Sequence, residues 1–377
     1  VGSKRIEIGS VLVDDAHACI ETVEKQYTIS IKNTNPIYEQ LLNTFLPSIK
    51  TQSETKAIEL QNNQPNTIAL VPFWSWKEKL SEVTKLLLEN ISHEDLEFSL
   101  PLLKENLNLC RCVLSDTSIE ITPHSIPTDV ILSLEYAQRK IFMTATLVDD
   151  SILSTHFNID RESIINPITP LTAGDLGERM ILIPQELNSD ISDDELKSYY
   201  KTLSQTNNVV IIVPSFPRAN YWKDIADLII NKENIEVEIE KLRTSHVGLV
   251  ILVNRYDGID LPQNACRILV IDGLPDARRL IDQIVEGQLI GSDKSINQKI
   301  QKIEQGMGRG VRSNDDYCVV FLMGKNLIQH LYSIDTIDKF SQATRAQFNL
   351  SESLSKQLKG ATLSDINEAV KHALNRN

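Results

Sequence analysis

Seven short runs of apolar, mostly β-branched residues constrain this chain more than any other feature, each closing in polar residues or in Gly or Pro. Strands buried on both faces of a parallel sheet have this pattern, because they have no solvent face to mark with polar side chains. Residues 11–13 and 141–143 form a first group; residues 180–183, 209–213, 249–253, 268–271 and 318–323 form a second. Helical stretches, 192–201 and 222–230 among them, separate members of the second group. This alternation predicts an α/β fold with right-handed crossovers.

Between the two strands of the first group lie more than a hundred residues of different character, with helices predicted at 37–46, 76–91 and 95–107. Two strands, 112–115 and 118–122, and a short helix at 128–139 lead back to the sheet. This is read as an insertion. A chain of 377 residues exceeds the usual size of one hydrophobic core, so a modular body with an insertion and a polar helical tail after Tyr332 is expected. No apolar run approaches the roughly 20 residues that span a bilayer, and Val1-Gly2-Ser3-Lys4 has no signal core, so a cytoplasmic protein with a truncated beginning is expected. Five scattered cysteines fit a reducing compartment. Cys110 and Cys112 alternate onto one face of a strand as buried thiols, without the second pair that zinc needs. The formal charge of −13 requires that any nucleic-acid binding come from a local basic groove.

In open α/β sheets ligands bind beyond the carboxyl ends of the strands, so the polar residues following each run are the candidates for chemistry. Asp14-Asp15-Ala16-His17 places two carboxylates at a strand exit. Mg²⁺ suits that position, since it prefers a carboxylate together with water and phosphate oxygens; Asp14 would hold it through water while Asp15 orients the attacking water. A plain polar turn would look the same. Thr144-Ala145-Thr146 follows the next strand, where Thr144 and Thr146 could couple sites through hydroxyl hydrogen bonds, although such residues are common there. After Val253 comes Asn254-Arg255-Tyr256-Asp257-Gly258-Ile259-Asp260, in which Gly258 permits a tight turn and Arg255 and Asp260 could face phosphates. Residues 296–313 are predicted helical, with Ile296, Ile300, Ile303 and Met307 on one face and Gln305, Arg309 and Arg312 on the opposite, outward one. Three glycines there cost helix stability, about 1 kcal/mol each, and an arginine pair aimed at a γ-phosphoryl group accounts for them better than a solvated face does.

Taken in order, these segments resemble the motifs of superfamily 2 helicases, and within them the DEAH-type, XPD-like branch more than the DEAD-box RNA helicases. Asp14 to His17 resembles the Walker B box and Thr144 to Thr146 the third motif. Val213-Pro214-Ser215 resembles the fourth, Gly258-Ile259-Asp260 the fifth, and Gln305 to Arg312 the sixth, Q-x-x-G-R-x-x-R. The resemblance implies a complete second RecA-like domain at 170–335 and part of a first at 1–22 and 136–165. It implies an arch-like, mostly helical insertion at 23–135 and a tail at 336–377. It further implies ATP and Mg as cofactors, with Asp14, His17, Gly258, Asp260 and Gly308 near the nucleotide. Asp15, Gln305, Arg309 and Arg312 would be catalytic, while Thr144, Thr146, Ser215 and Arg255 would couple to nucleic acid, DNA more than RNA. Two departures stand out. No G-x-x-x-x-G-K-[ST] occurs, so the phosphate cradle would belong to a missing half-domain on a longer precursor or a separate chain. Asp15 stands where the family has Glu, roughly 1 Å short of the water it would orient. The alternative is a non-catalytic module of helicase fold that binds nucleic acid or protein.

Overall fold

The computed structural model describes residues 7–144, 151–168, 177–230, 234–256, 259–275, 279–289, 291–311, 313, 315–333 and 336–376. It divides into two compact units, Val1–Pro167 with Ala277–Ile290, and Ile168–Asp276 with Gly291–Asn377.

The first unit contains two sheets. Strand β1 (Ser10–Val13) lies parallel to β6 (Arg139–Phe142) in a two-stranded sheet, Val13 opposite Phe142. Between them in sequence come β2 (Ile29–Lys32), β3 (Ile68–Leu70), β4 (Cys110–Ser115) and β5 (Ser118–Pro123), an antiparallel sheet in the order β2-β5-β4-β3. One face of this sheet packs on helices Pro36–Gln52 and Phe73–Glu89 around Ile29, Ile31, Cys112, Leu114, Ile119 and Ile121. The first of these helices starts where Asn35 accepts the Ile37 N–H at 3.1 Å and Pro36 presets φ. It buries Ile37, Leu41, Phe45 and Ile49, one residue per turn. Cys110 and Cys112 both face this core, and burial pushes the Cys110 thiol up to about 12.

Beside its helices the insertion holds this four-stranded sheet, which the sequence pattern shows only in part. Two of those strands, 29–32 and 68–70, are too short to stand out in the sequence. The helix expected at 95–107 is only a turn at Leu100–Leu103 followed by a 3-10 turn. Residues 128–139 likewise hold a 3-10 turn and the four-residue helix Leu132–Glu135. A further difference is that β1 and β6 are not buried on both faces, for Leu12 is 63% and Ile141 47% exposed.

The second unit is one parallel sheet of β7 (Glu178–Leu182), β8 (Val209–Val213), β9 (Leu228–Ile230), β10 (Leu249–Val253), β11 (Ile268–Asp272) and β12 (Tyr317–Met323), ordered β7-β12-β11-β8-β10-β9. The α/β class is as expected, and β8 and β11 are buried along their whole length. Residues 222–230, expected as helix, instead end one helix at Trp222 and supply β9, whose Leu228-Ile229-Ile230 pairs with β10. An apolar triplet at a sheet edge is ambiguous in sequence, and only pairing decides it. Helices cover both faces. Asp193–Leu203 begins with a capping box between Ser192 and Glu195 and buries Leu196, Tyr199, Tyr200 and Leu203. Asp293–Met307 covers the opposite face with Ile300, Ile303 and Met307. The tail helices are part of this core: Phe348 of Gln342–Gln357 joins one face, and Ile366 and Val370 of Leu363–Asn375 join the other.

Candidate functional site

The first group of candidates stands at the carboxyl ends of β1 and β6. Because these strands run parallel, their exits lie at the same end, laced by Met143 N–H to Val13 O at 2.8 Å and Ala16 N–H to Met143 O at 2.9 Å. Asp14, Asp15 and Thr144 thus come together. Asp15 adopts a left-handed conformation, φ 49°, which costs a non-glycine residue about 1–2 kcal/mol, and its N–H donates to Asp14 Oδ1 at 3.0 Å. Helix Ala16–Gln26 starts directly after it. The turn holds both carboxylates outside the sheet, Asp14 exposed and Asp15 half-buried. Thr146 and the His17 side chain lie outside the described residues.

The second group follows β8, β10 and helix Asp293–Met307, and its centre is Arg309. The sequence pattern sets Arg309 on an outward face, but the structure corrects this. Helix Asp293–Met307 ends before it, residues 308–310 form a 3-10 turn, and that change of winding swings Arg309 inward. Its side chain is 7% exposed; Nε donates to Tyr256 O at 2.9 Å and Nη1 to Ile259 O at 3.0 Å, with Asp260 Oδ1 3.6 Å from Nη1. Leu261 N–H returns a bond to Arg309 O at 3.2 Å. The guanidinium therefore ties the turn after β10 to the end of the helix. Gln305 is half-buried on that helix, and Asp260 is exposed.

The glycines have a packing reason that the sequence does not reveal. A Cβ at Gly306 would lie 2.9 Å from Tyr256 Cδ1, and one at Gly310 would lie 2.6 Å from Cys318 Sγ, whereas Gly308 has open space. Ser215 stands at the start of helix Phe216–Trp222, half-buried, and Asn254, next to half-buried Arg255, is left-handed at φ 51°. Gly258 and Arg312 lie outside the described residues.

One constellation at these strand ends was not foreseen. Asp272, the last residue of β11, is buried and accepts from Arg218 Nε at 2.7 Å, Arg218 Nη2 at 3.0 Å and Trp222 Nε1 at 2.7 Å. Burial raises the Asp272 pKa, against the hydrogen bonds from Arg218 and Trp222. Arg218 also reaches Asp193 at 3.4 Å and lies over the Tyr221 ring, 4.4 Å from its centroid. An Asp closing a buried apolar strand was the available signal.

Residues 232–343 match the family model of the helicase C-terminal domain. The matched segment takes in the Arg309 clasp and three of the six parallel strands, β10, β11 and β12. Among solved structures, an XPD helicase is similar at 14% identity and TM-score 0.48, with 88% of this chain and 66% of that one covered. Xpd4 from S. tokodaii is similar at 17% identity and TM-score 0.48, covering 86% and 74%. S. cerevisiae Dbp5, solved with RNA and ADP BeF3, is similar at 15% and TM-score 0.36, covering 59% and 55%. No curated protein matches the sequence. The chain thus spans just under two thirds of that XPD helicase. Among the described residues, no helix is long and apolar enough to cross a membrane.

Proposed function

We propose that this chain is the C-terminal part of an ATP-dependent, XPD-like superfamily 2 DNA helicase or translocase, acting in the cytoplasm. The observation that carries the reading is the Arg309 clasp, which joins the segments that resemble the fifth and sixth motifs, the turn after β10 and the end of helix Asp293–Met307. In this reading residues 170–335 are the second RecA-like domain, 1–22 and 136–165 belong to the first, 23–135 are an arch-like insertion and 336–377 a tail. Arg309 is then a positioning residue for the Tyr256–Asp260 turn, and Arg312 and Gln305 are the groups that meet the γ-phosphate of ATP. Gly258, Asp260 and Gly308 line the nucleotide, with His17 beside the Walker B carboxylates. Thr144, Thr146, Ser215 and Arg255 serve the nucleic acid.

The residues fit Mg²⁺ in one specific way. Asp14 is an exposed carboxylate at a strand end, and among the described residues no group of three His, Cys, Asp or Glu side chains could cage a metal. Such a donor set suits an ion that keeps most of its waters, with Asp14 as its anchor and Asp15 orienting the attacking water. Bound Mg²⁺ would neutralise phosphate charge. Leu12 and Ile141, opposite one another and exposed on one face of the two-stranded sheet, fit covering helices, which a half-domain bearing the phosphate loop, on a longer precursor or a separate chain, would supply.

The test is DNA-stimulated ATP hydrolysis by this chain alone and by the chain joined to its phosphate-loop half, each also as Arg312→Ala. Hydrolysis by the joined protein only, reduced by about 10³-fold or more in the variant, is expected. A second reading, a non-catalytic nucleic-acid- or protein-binding module, is favoured by Asp15 in the place of Glu. It prevails if neither form hydrolyses ATP while DNA still binds.

A further inference from the structure

A small polar cavity of about 30 Å³ lies in the first unit, between β4, β5, helix Ala16–Gln26 and the segment at Arg279. The proposed function makes no use of it. Two guanidinium groups line it, and they are partnered very differently. Arg279 is paired with two carboxylates: its Nη2 is 2.7 Å from both Glu24 Oε2 and Asp282 Oδ1, and its Nε is 2.8 Å from Asp282 Oδ2. Arg111, in β4, has a fully buried Nε without a hydrogen-bond partner, and among the described residues no carboxylate comes within ion-pair distance of it.

An arginine does not shed its proton near neutral pH, so this partly buried guanidinium keeps its charge without a carboxylate in direct contact. Burial first, and then the neighbouring Arg279, push the Arg111 pKa down, against a smaller pull from Asp282 and Glu24, neither of which is in ion-pair contact with it. The two carboxylates that act on it are already committed: Asp282 serves Arg279, and Glu24 serves Arg279 and also His156 Nε2 at 3.3 Å. His124 on the same wall is held towards its neutral form, by burial and then by Arg111. Its imidazole is thus available as a hydrogen-bond donor without adding charge. Around this cavity donors outnumber free acceptors, and a tetrahedral oxyanion is the ligand that matches a guanidinium fork.

Size narrows the class. A space of about 30 Å³ takes two or so water-sized positions, too little for a nucleotide. A phosphodiester inside a chain carries a substituent on either side, whereas inorganic phosphate, or a phosphomonoester at the end of a strand, can enter phosphate first. We propose that the Arg111 cavity is an oxyanion site that takes inorganic phosphate or a terminal phosphomonoester.

Calorimetric titration of the full chain with inorganic phosphate, and with single-stranded oligonucleotides bearing a 5′-phosphate or a 5′-hydroxyl, tests this. Saturable 1:1 phosphate binding is expected, weakened at least roughly tenfold in Arg111→Met and less in Arg111→Lys. If the 5′-phosphate oligonucleotide binds more tightly than its 5′-hydroxyl counterpart, and that preference vanishes in Arg111→Met, the source is a strand end. Equal binding of the two oligonucleotides, with inorganic phosphate still bound, assigns the free anion. Absence of saturable phosphate binding by the unaltered chain overturns the proposal without any variant. A response that chloride reproduces at equal ionic strength, or one unchanged in a folded Arg111→Met protein, also overturns it.

Discussion

Asp227 holds the corner where β9 and β10 begin. Its Oδ2 accepts the Leu249 N–H at 2.8 Å and Lys201 Nζ at 2.8 Å, and Oδ1 accepts Lys201 Nζ at 2.7 Å. Gly248, at φ 106°, leaves room for this carboxylate, since a Cβ there would collide with Asp227 Oδ2. Burial raises the Asp227 pKa, but the Leu249 amide and the Lys201 ammonium outweigh it, and the net shift is downward from the ordinary 3.8. A carboxylate whose folded-state pKa is depressed adds stability above its unfolded value and loses it as pH falls through the folded one. Asp227→Asn is therefore expected to lower stability by about 1 kcal/mol at pH 7, a small figure because the ion pair is over a third exposed and screened. In urea unfolding, the gap between the two proteins should close as pH drops below about 3.8. An equal gap at pH 7 and pH 2.5 would assign the effect to shape rather than charge.

Helix Leu280–Gln288 shows what a single strand residue can do for a distant element. Glu120 lies in the middle of β5, buried, and its Oε2 accepts the N–H groups of Leu280 at 2.7 Å and Ile281 at 3.4 Å. These are two of the four amides that a helix leaves unpaired at its start, and a negative charge there also meets the positive end of the helix dipole. Burial raises the Glu120 pKa, while the two backbone donors pull it down. Glu120→Ala is expected to cost about 1–3 kcal/mol and to speed hydrogen exchange along 280–288, with Glu120→Gln milder because its carbonyl still accepts. Unchanged exchange in the alanine variant would show that apolar contacts alone hold the helix. None of this is visible in the sequence, where Glu120 is a polar residue in a strand and its partner lies 160 positions away. The β8, β10 and β12 strands were legible because burial on both faces leaves an uninterrupted apolar run. The face Ile300, Ile303, Met307 was legible because a helix repeats every 3.6 residues. Arg309 was placed on the wrong side because the same periodicity was extended through Gly308–Gly310, where the winding tightens. β2, β3 and β9 escaped notice because three or four residues hold too little pattern, and β-pairing over long separations is not written locally.

The connectivity of the whole molecule follows from that docked helix. The chain leaves the second unit after Asp276, contributes Ala277–Ile290 to the first, and re-enters the second at Gly291, although the reading from sequence had kept 170–335 together. Leu280 and Ile281 pack on Val113 of β4, with Ile68 and Leu70 of β3 alongside, covering the sheet face opposite the helices of the insertion. Among the described residues, the two large apolar clusters of the second unit include none from 279–289. The excursion should then stabilise only the unit it visits. Replacing 277–290 with a Gly/Ser linker of equal length removes two buried aliphatic side chains worth about 1.5–3 kcal/mol each. Hydrogen exchange is expected to quicken in β3, β4 and β5, while β8, β10, β11 and β12 keep their protection. Comparable loss of protection in both groups of strands would mean that the two units unfold as one and that the segment stabilises the molecule as a whole. Loss confined to the first unit would make residues 277–290 a strap that the second half of the sequence lends to the first.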